Sequence, residues 1–149
     1  MSEQKTAAPG GYKKPLPDLR PEGVKFWEGT KEHKLLLPTD PSGTPFWYPR
    51  ALVPGTLEPV GWTESKGEGA VYTYSVHYIG PSSAYKGEPP HVVALVDLDE
   101  GVRVMTNLVR DEEGYPSLGP DEVQIGMRVR VVFDDVTEEI TLPKFVPAA

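Results

Sequence analysis

The chain contains no cysteine in its 149 residues. This one absence excludes disulfides, thiolate metal sites and thiol nucleophiles. No apolar run approaches the ~20 residues of a membrane span, and the opening MSEQKTAAPGG lacks the apolar stretch of a secretory signal. A cytoplasmic protein with no membrane partner is expected. Basic charge is scarce as well. The formal net charge is -7, and residues 35 to 149 hold eight basic against seventeen acidic side chains. Such a surface repels phosphate backbones, so no nucleic-acid partner is expected.

What the chain has in quantity is turn chemistry. Its 17 prolines and 15 glycines point to many turns and few long helices, hence a mostly β protein. Its length suffices for one domain with a core and something smaller attached to it. Residues 1 to 20 mix Pro, Gly, Lys and small polar residues with no apolar period, so they read as a flexible arm or as a strap that orders on a partner. In RPEGVKFWEGTKEHK, Pro21 suits a first helical position, and Lys31, His33 and Lys34 gather in a last turn, predicting a short helix over 21 to 34. Gly23 and Gly29 each cost that helix roughly 1 kcal/mol against alanine. It therefore needs Phe26 and Trp27 docked on something, either the chain's own next segment or another subunit.

From residue 60 the period is two. Tyr72, Tyr74, Val76 and Tyr78 are expected on one face of a strand, with Val71, Thr73, Ser75 and His77 on the other. HVVALVDL reads as a strand covered on both sides, turned back by Asp99-Glu100-Gly101 into VRVMTNLV. MRVRVVF puts Met127, Val129, Val131 and Phe133 inward and Arg128 and Arg130 outward, and EEITLPKFV supplies the last strand. Five strands in about 90 residues fit a small closed Greek-key barrel of OB type, whereas a β-sandwich would want about seven. The expected layout is an arm over 1 to 20, a helix and a ribbon-like β segment over 21 to 59, and a five-stranded OB-fold over 60 to 149. The loop GPSSAYKGEPP, residues 80 to 90, is the longest irregular insertion in the barrel region.

These segments in this order, FWEGTKEHKLLLP, a turn pair around Tyr48-Pro49-Arg50, GEGAVYTYSV, VVALVDLDEGVRVMTNLV and IGMRVRVVFDDV with ITLPKF, resemble the acyl-CoA-associated OB-fold family known as domain of unknown function 35. The resemblance covers about residues 21 to 147. It implies an N-terminal helix, a rubredoxin-like zinc ribbon and a C-terminal OB-fold. Where that family typically carries four knuckle cysteines, this chain has Thr39, Ser42, Val53 and Thr56. Valine cannot bind zinc, and neutral hydroxyls bind it poorly, so no zinc is expected and the ribbon is degenerate. Phe46, Trp47, Leu52 and Val53 are expected to form an apolar cluster in the metal's place.

The resemblance further implies a non-catalytic accessory subunit in a hetero-oligomer with a thiolase-superfamily enzyme or a hot-dog-fold enoyl-CoA hydratase. Phe26, Trp27, Phe46, Trp47, Tyr48 and Arg50 would then dock on the enzyme. Tyr85 and Lys86 of the 80 to 90 loop would lie near the acyl-CoA, and Arg103, Arg128 and Arg130 could converge on coenzyme A phosphates shared with the partner. No cofactor is expected to be tightly bound. The rival reading is a stand-alone OB-fold module for a small ligand or single-stranded nucleic acid, with the tyrosine stripe stacking bases. Residues 60 to 149 carry seven basic and fifteen acidic side chains, which disfavours its nucleic-acid form. No nucleophile elbow presents a serine to His33, His77 or His91, and the carboxylate pairs, Asp134-Asp135 among them, are expected to face solvent. Elemental analysis of the purified chain is expected to find no stoichiometric zinc; one tightly bound equivalent would mean that the knuckles lie elsewhere.

Overall fold

The computed structural model describes residues 12–148, so residues 1 to 11 of the expected arm lie outside the described residues. Residues 12 to 20 carry no helix or strand, yet they are held: Lys14 pairs with Glu88 at 3.0 Å. A single 3-10 turn, Pro21–Gly23, leads into α1, Val24–Lys31. This helix stops earlier than its composition suggests. The amides of Glu32 and Lys34 both return to the Gly29 carbonyl, and His33 turns into the left-handed region at φ 58°. The imidazole of His33 then stacks flat on Phe133 at 5.1 Å and meets Asp135 at 3.0 Å, tying the helix end to the barrel.

The ribbon is a two-stranded antiparallel sheet of β1, Leu36–Thr39, and β2, Gly61–Glu64, with both turns between them. Asp40 organises the first turn. Its Oδ1 accepts from the amides of Ser42 and Thr44, each at 2.9 Å, and from the Ser42 hydroxyl at 2.6 Å. Those bonds, the Ser42 hydroxyl's first, hold its carboxyl below the usual carboxylate range. In the second turn the Val53 amide reaches the Glu58 carbonyl, and the Leu57 amide returns to Val53. Of the positions matching zinc ligands, Thr39 and Val53 are buried while Ser42 and Thr56 are exposed.

The expected apolar cluster in the metal's place does not form as drawn. Leu52 is 46% exposed, and Trp47 leaves the ribbon to pack against the barrel core. The physical reason is area, since an indole gains more by meeting Phe26 over a large core than within a segment of some twenty residues.

The barrel closes in the order β3-β4-β5-β7-β6 from β3 (Glu68–His77), β4 (His91–Leu98), β5 (Arg103–Leu108), β6 (Arg128–Asp135) and β7 (Thr141–Pro147). This is the expected OB-type barrel. Its weak seam lies between β5 and β7, which pair in parallel at Leu108↔Phe145 alone. Phe26, Leu35 and Leu37 belong to the same buried cluster as Val71, Val96, Val129 and Phe145, so helix, ribbon and barrel share one core.

Three strand expectations need correcting. A register shift between Val71 and Thr73 breaks the tyrosine stripe, so that Tyr74 and Val76 pack on the core while Tyr72 is exposed, and Tyr78, past the end of β3, is exposed as well. HVVALVDL alternates: Val92, Ala94, Val96 and Leu98 are buried, and the residues between them are only half-covered. Asp134 is buried, at 4% exposure, instead of facing solvent. Among the described residues no helix is long and apolar enough to cross a membrane. Phe26→Ala is expected to destabilise the chain by about 3–5 kcal/mol, read as a fall in the urea midpoint, because it empties a site inside the shared core.

Candidate functional site

A cavity of about 410 Å³ opens where α1, the Trp47-Tyr48-Pro49 rung and the β5/β7 seam meet. Phe26 is its hinge. Its ring stands edge-on to Trp27 at 5.0 Å and to Trp47 at 5.3 Å, and Trp47 in turn lies 5.4 Å from Tyr48. Met105 from β5 and Leu142 from β7 line the opposite side. Tyr48 and Met105 are 52% and 61% exposed, which leaves an apolar surface at the mouth. The Trp47 indole N–H is buried without an acceptor, a cost of about 1–3 kcal/mol that packing at this spot must offset. Of the residues expected to dock, Phe26, Trp27, Trp47 and Tyr48 thus gather at one cleft; Phe46 is half-buried and Arg50 exposed, and neither lines it.

The three arginines lie on the barrel's outer face, each with a carboxylate. Asp97 is the cross-strand neighbour of both Arg103 and Ala70, and Ala70 that of Arg128, so Arg103 and Arg128 sit in one row three strands apart, about 14 Å. Arg103 pairs with Asp97 at 2.7 Å and covers the Tyr72 ring at 3.3 Å. Arg128 pairs with Asp99 at 2.8 Å, and Arg130 with Glu112. Hydrogen bonds from Arg103 and Arg128 hold Asp97 and Asp99 below the usual carboxylate range. A phosphate arriving here would have to displace a carboxylate, though exposed pairs of this kind contribute little and exchange readily.

Tyr85 stands apart from that row, in a second pocket of about 370 Å³ whose walls come from the 12 to 14 strap, the 80 to 90 loop, and the ends of β4, β6 and β7. Lys86 follows it, exposed, at the end of the 3-10 turn Ser83–Tyr85. A pair hidden from sequence reasoning forms part of the wall. Lys144 donates to Asp134 at 2.6 Å and to the Gly114 carbonyl at 2.9 Å, and both side chains are largely buried. Gly114, at φ +92°, comes so close that a Cβ there would meet the Asp134 side chain at 2.6 Å. The signal available in sequence was a lone lysine inside the apolar run LPKFV.

Tyr12, half-buried beside the pair, has its phenol pushed up to about 12 by burial first, then by Tyr85, Asp134 and Glu88. His77 and His91, opposite each other on β3 and β4, stack at 4.9 Å, and Tyr85 stacks on His91 at 5.2 Å. Burial, with help from His77 and Lys14, lowers the pKa of His91 below the ordinary histidine value. Ser75 and His77 lie 2.8 Å apart, the serine exposed and the histidine half-buried. Among the described residues no group of three or more His, Asp or Glu side chains converges as a metal site would require.

The model for the ChsH2 C-terminal OB-fold domain matches residues 62–134. A DUF35 domain-containing scaffold protein of Methanocaldococcus jannaschii is 31% identical over 120 residues, spanning 78% of this chain and 79% of its own length. The chain belongs to the DUF35 family. Among solved structures, the Ltp2-ChsH2(DUF35) aldolase superposes on this DUF35 chain with a TM-score of 0.75 at 32% identity, covering 90% of this chain and 100% of that one. A probable enoyl-CoA hydratase alpha subunit of Thermomonospora curvata is 33% identical over 141 residues, which are 91% of this chain but 40% of the subunit. The DUF35 chain therefore spans about two fifths of that relative's length.

Proposed function

We propose that this DUF35 chain is a non-catalytic accessory subunit that docks on an acyl-CoA-processing enzyme and helps to shape or cover its acyl-CoA site. The reading rests above all on full-length similarity to the DUF35 chain of an aldolase assembly, supported by relatives named as scaffold proteins and as a hydratase alpha subunit. The partner is accordingly a thiolase-superfamily enzyme or an enoyl-CoA hydratase, in a hetero-oligomer.

The aromatic cleft is the surface best suited to docking. A partner side chain entering it meets Tyr48 and Met105 at the mouth and Trp27 within, aromatic anchors of the kind that dominate interface energies. Arg103, Arg128 and Arg130 remain candidates for coenzyme A phosphates, their carboxylates exchanged on assembly. Tyr85 and Lys86 belong to a different wall of the barrel, so their contact with acyl-CoA depends on how the enzyme wraps the 80 to 90 loop.

Affinity purification from the native host is expected to recover an acyl-CoA enzyme in near-equal amount. Tyr48→Ala, at a half-exposed position, is expected to weaken that association by about tenfold or more while the chain stays folded. Recovery of the wild-type chain as a lone monomer would count against an accessory role, and full binding by the variant would move the docking face elsewhere.

A further inference from the structure

The second pocket has a cover, and the cover is built from the chain's own charged and aromatic groups. Lys14 bonds Glu88 at 3.0 Å and stands 4.8 Å above the Tyr85 ring, so the strap and the loop hold each other. Beneath Tyr85 come His91 and then His77, whose Nε2 meets Ser75 Oγ at 2.8 Å. The order Lys14, Tyr85, His91, His77 makes one continuous column from the strap to β3. Gly80 permits it, because a Cβ there would meet Tyr85 at 2.1 Å. We propose that residues 12 to 14 and the 80 to 90 loop form a latch over the second pocket, and that the stacked histidine pair beneath Tyr85 releases this latch in acid.

A proton on His91 would place a cation beneath the Tyr85 ring where burial denies it water, with His77 stacked on its other side and the Lys14 ammonium across Tyr85. From the β6 and β7 side the pocket presents Asp134 and Lys144, already spent on each other; Tyr12 stays neutral, and Tyr115 adds a phenol from the 110 to 126 loop. Glu88 alone among the groups acting on His91 favours its charge, and Glu88 is bound to Lys14.

The sign follows from where His91 prefers to be neutral. Its folded-state pKa lies below the ordinary value, so the closed latch is fully favoured above the ordinary histidine pKa and loses ground as pH falls below it through the lowered value. Gly87, at φ +82° with open space around it, and Gly80 bracket the segment that would swing.

Hydrogen exchange on the full chain at pH 7.5 and 5.0, corrected for intrinsic rates, tests this. The Tyr85, Lys86 and Glu88 amides all donate within the loop and report the latch, while β7 amides report the barrel. Loop protection is expected to fall at pH 5.0 by about threefold or more, with a ceiling near thirtyfold set by an ordinary histidine in the open state, and β7 protection is expected to hold. His91→Phe keeps a ring in the stack but cannot take the proton, so its loop protection should not change between the two values. An equal acid loss in that variant, or no loss in the wild type, overturns the proposal. Nuclear magnetic resonance titration of the wild-type histidines checks it independently of any variant: the loop signals must move with the His91 proton, and movement without it is equally fatal.

Discussion

Everything on the amino-terminal side of the barrel hangs from one apolar contact, the Phe26 ring seated among Trp27, Trp47 and the barrel core. An eight-residue helix carrying an internal glycine is not stable alone, and a two-stranded ribbon of four residues a side is no better. Each acquires a core by sharing the barrel's. In a small domain a metal normally supplies what the core cannot. Here Leu35, Leu37 and Phe26 join the buried cluster directly, and Asp40 shapes the first turn with three hydrogen bonds where zinc ligands would otherwise have done so.

The same arrangement accounts for the cleft. Because β5 and β7 meet at a single residue pair, the barrel leaves a seam, and the helix and the rung lie over it without filling it. Aromatic side chains that stabilise the fold from below are thus displayed from above. Folding and docking draw on the same residues, so the face proposed to meet the enzyme is built on the barrel's core, with the Trp47-Tyr48-Pro49 rung anchored there through Trp47.

Much of this was legible beforehand. The period-two segments, the Asp99-Glu100-Gly101 turn and the order of segments were enough for an OB-type barrel with a cysteine-free ribbon. What escaped was whatever depends on register or on distant pairing. Nothing in VYTYSVHY marks the bulge that sends Tyr72 outward beneath Arg103. The His77–His91 stack exists only because β3 and β4 align those positions, and the buried Asp134 has its partner only because Lys144, opposite Val132 on β7, reaches it diagonally. Trp47 was expected to serve the ribbon, but the larger core won it. His33, placed by composition in a helix's last turn, is instead the strut between α1 and β6.

The central claim is that the metal-free ribbon and the helix are part of the barrel's cooperative unit. All three tryptophans, Trp27, Trp47 and Trp62, belong to the helix and ribbon segments and pack on the shared core, so fluorescence reports the docking of those segments while far-ultraviolet circular dichroism is dominated by the barrel strands. Urea unfolding followed by both signals, with and without a chelator, is the most direct measurement. The account predicts coincident transitions with one midpoint that the chelator leaves unchanged. An earlier fluorescence transition, or a midpoint lowered by the chelator, would contradict it.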